Sequence, residues 1–257
     1  MGTQYYLIDP LYGGLGDHLF YSYLPRVIKE KWPASQIYLS RDVAFRSQEI
    51  YKMVWEKNPY LDGFAERSEF DWEPRKESVL SKGKHIMTTL LENYGLDLED
   101  IGIPEPLPEI YYPLRHDDAP MFGNVIDLNY SSFVGAVLRS DIYKLVNKFK
   151  HKAIFINPDS DLKKVLPSSS IHQTKSLFEY AAILMNASSI ICLGSGGATL
   201  AQALGKRATV YYGCGFSPLF MHSGNDNVQL GTNSIVRKLT SIYLREKNMR
   251  RRNAGDR

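Results

Sequence analysis

A chain of 257 residues, 44% hydrophobic and 23% charged, has the composition of an ordinary globular protein and suits one large domain or two modest ones. Much of its net charge of +3 sits in the tail Arg245 to Arg257, which leaves a near-neutral body and excludes a broad nucleic-acid footprint. The two cysteines, Cys192 and Cys214, offer no disulfide framework, no apolar run reaches membrane-spanning length and the N-terminus lacks a signal pattern, so a soluble, cytoplasmic protein is expected.

The apolar run Tyr5 to Ile8 predicts a first strand. Leu19, Phe20, Tyr23, Leu24, Val27 and Ile28 recur at helical spacing and predict a helix from Leu19 to Lys31. Between them stands Tyr12-Gly13-Gly14-Leu15-Gly16-Asp17-His18, a strand-to-helix turn with Asp17 at or near the helix N-cap. Gly13, Gly14 and Gly16 lack the Cβ atoms that would hold a ligand off the backbone, so first-turn N–H groups can face one. Asp17 is then either the cap of its helix or a catalytic base, and on the turn alone the cap is the plainer reading. His18 beside it either touches an acceptor or is an ordinary helix-start histidine.

Gln36 to Ser40 predicts a second strand, Ser47 to Glu56 a helix, and Leu61 to Ala65 a short strand. Glu66 to Lys84 reads as a charged surface loop, and His85 to Tyr94 as a helix closed by Gly95. This alternation predicts a parallel sheet with helices on its faces. From Ile103 to Pro120, five prolines deny helix and central strand and predict a domain linker.

Past the linker, Asn124 to Leu128 predicts a new first strand, followed by the polar turn Ser131-Ser132. Asp141 to Lys150 predicts a helix, Ala153 to Ile156 a strand, and Thr174 to Met185 a helix capped by Thr174. Ser189 to Leu193 is a strand, Leu200 to Leu204 a helix, Ala208 to Tyr212 the last clear strand, and Ser234 to Lys247 a closing helix. The expected domains are therefore 1–115 and 120–247, with a basic tail over 248–257. At the exit of the strand Ser189 to Leu193, Gly194-Ser195-Gly196-Gly197-Ala198-Thr199 repeats the first turn's physics. Backbone N–H groups with the Ser195 and Thr199 hydroxyls suit a diphosphate, while a tight crossover explains the same glycines. Two such turns, one per domain, strengthen the ligand reading, because ligands sit beyond the carboxyl ends of parallel strands.

Gly13-Gly14-Leu15-Gly16-Asp17 leading into Leu24-Pro25 is similar to the opening of the heptosyltransferase-like glycosyltransferases, family 9 of that classification. So are Ser176-Leu177-Phe178-Glu179-Tyr180-Ala181-Ala182, Gly194-Ser195-Gly196, Leu200-Ala201-Gln202-Ala203-Leu204-Gly205 and Tyr212-Gly213. The resemblance implies the α/β fold called GT-B: two Rossmann-like domains whose parallel sheets face an interdomain cleft. It implies a nucleotide-diphosphate sugar donor, commonly ADP-heptose, with inversion that needs no metal or cofactor, and it makes Asp17 the base. On this reading the donor meets Gly13, Gly14, Gly16, Ser131, Ser132, Arg139, His172, Gln173, Ser195, Gly196, Gly197, Ala198 and Thr199, and the acceptor meets His18.

The chain departs from the family in two places. Where the family has an Asp-Ser/Thr-Gly run and then a His, it has Gly194-Ser195-Gly196 and then Thr199. A lysine expected near Ser131 to Val137 is missing, and Arg139 is the nearest cation able to meet a phosphate. His172-Gln173 either lines the nucleotide base or has a surface or capping role. Asp159-Ser160-Asp161 has the spacing that holds a metal-bound nucleotide in other glycosyltransferases, but a solvated turn after Pro158 is the plainer reading. The six histidines show no metal-ligand spacing. The expected partners are a nucleotide-sugar donor and a glycan or protein acceptor; a nucleic-acid acceptor has only the basic tail in its favour. A sugar-nucleotide epimerase of the same fold and a non-catalytic nucleotide- or sugar-binding protein are the alternatives.

Overall fold

The computed structural model describes residues 4–70, 83–102, 105–130, 134–231, 239–240 and 242–243. The chain divides into two units, Met1–Leu114 and Arg115–Arg257.

In the first unit β1 (Tyr5–Ile8), β2 (Gln36–Ser40) and β3 (Gly63–Ala65) pair in parallel in that order. Leu7, Ile8, Ile37 and Leu39 are fully buried. The sheet is flanked in sequence by α1 (Leu15–Tyr21), α2 (Leu24–Lys31), α3 (Gln48–Val54), α4 (Ile86–Asn93) and the short α5 (Leu98–Ile101). The single helix expected from Leu19 to Lys31 starts four residues earlier and breaks in two. Ser22 Oγ donates to the Leu19 carbonyl at 2.8 Å, and Pro25 has no N–H to carry the ladder onward. Asp17 is accordingly the third residue of α1, and Gly14, not Asp17, is its N-cap. Ser47 caps α3 by accepting the Glu49 N–H, and Gly95, at φ 74°, closes α4.

The division between the two units falls within the proline-rich stretch, and its described residues up to Leu114 belong to the first unit. Pro106 and Pro108 are buried, the Glu109 N–H donates to Ser22 Oγ at 2.7 Å, and the Tyr111 and Tyr112 N–H groups share the Met53 carbonyl. Extended backbone between prolines keeps its remaining donors available, so residues 105–114 strap onto the first unit. Residues 71–82 of the expected surface loop lie outside the described residues.

The second unit is a doubly wound sheet of six parallel strands in the order β6-β5-β4-β7-β8-β9. These are β4 (Asn124–Asp127), β5 (Ile154–Ile156), β6 (Ile171–His172), β7 (Ser189–Leu193), β8 (Ala208–Tyr212) and β9 (Asp226–Gln229). Its helices are α6 (Arg139–Phe149), α7 (Ser160–Lys163), α8 (Leu177–Asn186) and α9 (Gly196–Ala203). Ile126, Phe155, Ile191 and Leu193 join Ile142, Leu145 and Val146 of α6 in one buried cluster. Strand order reverses between β4 and β7, the switch point at which ligands of such sheets bind.

Two expectations change here. Ser176, not Thr174, caps α8: its Oγ accepts the Glu179 N–H at 3.0 Å, while Thr174 is held by Asn157 through both its N–H and its hydroxyl. The helix expected from Leu200 starts at Gly196, so Gly196 to Thr199 form its first turn. The loops after β4 and β8 are zipped by Gly213 N–H to Val134 O and Ala136 N–H to Cys214 O, both 2.8 Å, on either side of the β7 strand position. Of the expected closing helix, only 239–240 and 242–243 are described; they are helical, with Leu239, Ile242 and Tyr243 exposed, and the basic tail lies outside the described residues. No helix among the described residues is long and apolar enough to cross a membrane.

Candidate functional site

The first glycine turn is filled by the protein itself. A Cβ on Gly13 would stand 3.0 Å from both the Ala44 oxygen and the Arg46 nitrogen, and Gly13 O accepts the Arg46 N–H at 2.9 Å. At Gly14 a Cβ would meet Asp17 Oδ2 at 2.7 Å, which accepts the Gly14 N–H at 3.2 Å. Gly16 is the second residue of α1. A carboxylate thus already occupies the mouth of this seven-residue helix and would repel a phosphate. Gly13 and Gly14 are small to admit these neighbouring protein atoms.

His18 is also reassigned, from the acceptor to the core. It is fully buried; its Nδ1 accepts from Trp55 Nε1 at 2.9 Å, its Nε2 donates to the Ala44 carbonyl at 3.0 Å, and Phe45 stacks on it at 4.6 Å. Both nitrogens are used by the neutral ring, which bolts the 44–46 loop over the glycine turn. Burial pushes its pKa from 6.5 down to about 4, opposed in part by the Ala44 hydrogen bond. A base kept neutral in the folded state contributes stability that is complete above pH 6.5 and drains away as the pH falls through 6.5 toward 4. Urea unfolding should therefore lose about 3 kcal/mol more over that window in the wild type than in His18→Gln, by the usual worth of a pKa unit. Equal losses in the two proteins would assign the acid sensitivity to other groups.

Asp17 is half-buried, and its charge reaches the hydroxyl of Tyr21. Burial and then the charges of Asp9 and Asp17 push that phenol well above its ordinary range. Asp9, directly after β1, is buried and ion-paired to Arg67. It was not foreseen.

In the second unit the turn at the end of β7 becomes more buried along its length. Gly194, Ser195 and Gly196 are half-buried, whereas Gly197, Ala198 and Thr199 are buried, with Thr199 only 3% exposed. The Thr199 hydroxyl is buried with them. Ser195 is the N-cap residue of α9, yet its side chain makes no capping bond. Among the described residues no acceptor takes the Gly196 or Gly197 N–H, while the Ala198 N–H is satisfied by the Ser195 carbonyl. Two amides and a hydroxyl at an uncapped helix start therefore converge at the switch point.

Beneath this turn lies a second unforeseen group. Asp127, the last residue of β4, is 7% exposed and accepts from the Tyr180 hydroxyl at 2.6 Å, the Asn129 N–H at 2.9 Å and Asn129 Nδ2 at 2.8 Å. Burial raises its carboxyl above the usual range, and these bonds pull the other way. A Cβ on Gly197 would stand 2.4 Å from the Tyr180 oxygen and 3.0 Å from Asp127 Oδ2, so that glycine makes room for the pair. Likewise the Phe216 ring edge fills the space a Cβ on Gly194 would take, at 2.8 Å.

Arg139 does not stand ready for a phosphate. Its guanidinium makes two bonds to Asp159, at 2.7 and 2.9 Å, and lies 3.5 Å from Asp161. Asp159 also caps α7, and Arg139 holds its carboxyl down at about 2. His172 Nε2 meets Glu179 at 2.9 Å and Gln173 is exposed. Both lie at the β6 edge, with β5 and β4 between them and β7, roughly 14 Å by strand spacing. The structure does not bring them to the α9 turn. Ser131 and Ser132 lie outside the described residues.

No protein-family model matches the chain, and no curated protein does. Solved structures do match. The fold is that of the GT-B heptosyltransferases. A family 9 glycosyl transferase from Veillonella parvula DSM 2008 is similar over 89% of this chain and 86% of its own, with TM-score 0.59 at 12% identity. The E. coli ADP-heptose lps heptosyltransferase II is similar over 97% of this chain and all of its own, covering 100%, with TM-score 0.55 at 12% identity. The iron-containing dodecameric glycosyltransferase TibC of enterotoxigenic E. coli H10407 covers 91% of this chain and 64% of its own, with TM-score 0.61 at 16% identity. Identities this low speak to the fold, which is the one the glycine turns and the helix segments resembled.

Proposed function

We propose that the chain is an inverting glycosyltransferase that moves a sugar from a nucleoside-diphosphate donor, ADP-heptose-like in class, to an acceptor hydroxyl. The observation that carries this reading is the uncapped start of α9, where Ser195 Oγ and the Gly196 and Gly197 amides are available at the switch point. They would hold the diphosphate and stabilise the charge it gains as it leaves with the glycosidic bonding pair. Asp17 would take the proton of the acceptor oxygen as that oxygen bonds the anomeric carbon. The glycan or protein nature of the acceptor, the cytoplasmic location and independence from metal belong to the same proposal. Asp159 and Asp161 are engaged by Arg139 and Lys164, which favours a donor bound without a bridging cation.

Calorimetry with ADP, UDP, GDP and their sugars, run in chelator, tests the site. At least one should bind with sub-millimolar affinity and raise the melting temperature by linkage. Silence from every nucleotide, or binding that appears only with added manganese, would remove the reading. A second reading has an observation of its own: the Asp17 capping bond to Gly14 is an ordinary structural use of a carboxylate. It favours a nucleotide- or sugar-binding protein without turnover.

A further inference from the structure

The Asp127 carboxylate is an expensive thing to keep beneath a phosphate site. It is buried, all three of its hydrogen bonds come from donors, and Gly197 is a glycine because Tyr180 and Asp127 press against that position. Three donors aimed at its oxygens favour the ionised carboxylate, against the burial that raises its pKa. The groups facing it are the Tyr180 hydroxyl from α8, the Cys192 thiol from β7 and the Asn129 amide from the loop after β4, and among the described residues no cation neutralises it. Burial first, and then the nearby Asp127 carboxyl, push the Cys192 thiol upward. In a poorly solvated interior a fixed negative charge acts on other charges across several ångströms far more strongly than in water.

We propose that Asp127 is a specificity-determining residue of the α9 turn: its buried charge penalises each negative charge placed on the Ser195–Gly197 donors, and so favours a sugar-bearing diphosphate over the free nucleoside diphosphate. The inference rests on the diphosphate reading of that turn. Transfer leaves the diphosphate with one more negative charge than the donor carried, because the ester oxygen becomes a terminal one. The product is therefore repelled more than the donor, and the same carboxylate that weakens ground-state binding speeds emptying of the site.

Asp127→Asn is the direct test. An amide retains Oδ1 for the two Asn129 donors, and its nitrogen can donate to the Tyr180 oxygen, so the fold has what it needs. Binding of ADP, ADP-glucose, UDP and UDP-glucose is measured by calorimetry at pH 6 and pH 8. At pH 8 the variant should bind the free diphosphates about tenfold tighter than wild type and the sugar esters tighter by a smaller factor. The gain should shrink at pH 6, where the wild-type carboxyl takes up a proton more readily on ligand binding. A merely structural Asp127 gives the opposite sign, with weaker or unchanged binding, and a folded Asp127→Asn protein that binds free diphosphate no tighter overturns the inference alone. Should Asp127→Asn not fold, Asp127→Ser also removes the charge and should tighten free-diphosphate binding at pH 8 in the same direction; unchanged or weaker binding there is equally fatal. If neither wild type nor variants bind any nucleotide, this inference and the diphosphate reading fall together.

Discussion

Gly213→Ala should unfold the second unit at much lower urea than wild type, by about 3 kcal/mol, the upper range for overpacking a closed site. A Cβ there would lie 2.4 Å from the Ala136 carbonyl carbon, 2.5 Å from its nitrogen and 2.6 Å from the Val137 nitrogen. All three are backbone atoms, and the zipper bonds of Gly213 to Val134 and of Ala136 to Cys214 hold them in place. No side chain can rotate away to relieve the clash. Gly135, at φ 83° and packed 2.1 Å from Gly213 O by the same construction, should behave at least as badly, since alanine adds a left-handed backbone penalty. Gly205 is the control: it too has a positive φ, 66°, but nothing lies within 4 Å of its Cβ position, so Gly205→Ala should cost only about 1 kcal/mol. Because the zipped loops belong to the strands on either side of β7, nucleotide binding at the α9 turn should weaken with the zipper. A Gly213→Ala protein no less stable than Gly205→Ala would show that the loops can part.

What the sequence made legible follows from how local each determinant is. Tyr5–Ile8, Gln36–Ser40, Ser189–Leu193 and Ala208–Tyr212 stand as expected, because continuous apolar runs between turn signals need no distant partner to be recognised. β6 and β9 were invisible: Ile171–His172 is two residues long, and Asp226–Gln229 is polar, with edge pairing to one neighbour in place of burial. The glycines show the same limit at the site. Sequence reveals a missing side chain but not its replacement, and here the fillers come from Ala44 and Arg46, from Phe216, and from Tyr180 with Asp127. His18 was misread for the same reason, since Trp55 and Ala44 reach it from far along the chain. Asp9 and Asp127 had a readable signal, an aspartate ending the first apolar strand of each unit, in Leu7-Ile8-Asp9 and Val125-Ile126-Asp127. An acid at the carboxyl end of a parallel strand stands where ligands come.

Asp17→Asn should lower transfer roughly 100-fold or more at saturating acceptor, the usual worth of a general base, while changing stability by less than about 1 kcal/mol. The geometry makes this a clean substitution. The folded carboxylate accepts the Gly14 N–H at 3.2 Å, and an asparagine oxygen can accept the same bond. The start of α1 and the 44–46 loop anchored at Gly13 should therefore persist. What asparagine cannot do is take a proton. Asp9 cannot replace it, because its carboxylate is buried under Arg67. Diphosphate affinity should stay within about twofold, since the Ser195–Gly197 donors belong to the other unit, and a separation of turnover from donor binding is what marks lost chemistry. Asp17→Ala supplies the contrast: it loses the capping bond as well and should cost about 1 kcal/mol of stability on top of the same loss of turnover. Were Asp17→Asn to keep wild-type turnover while Asp17→Ala only destabilised the fold, Asp17 would be the cap of α1 and nothing more, and the proton would have to leave by another group.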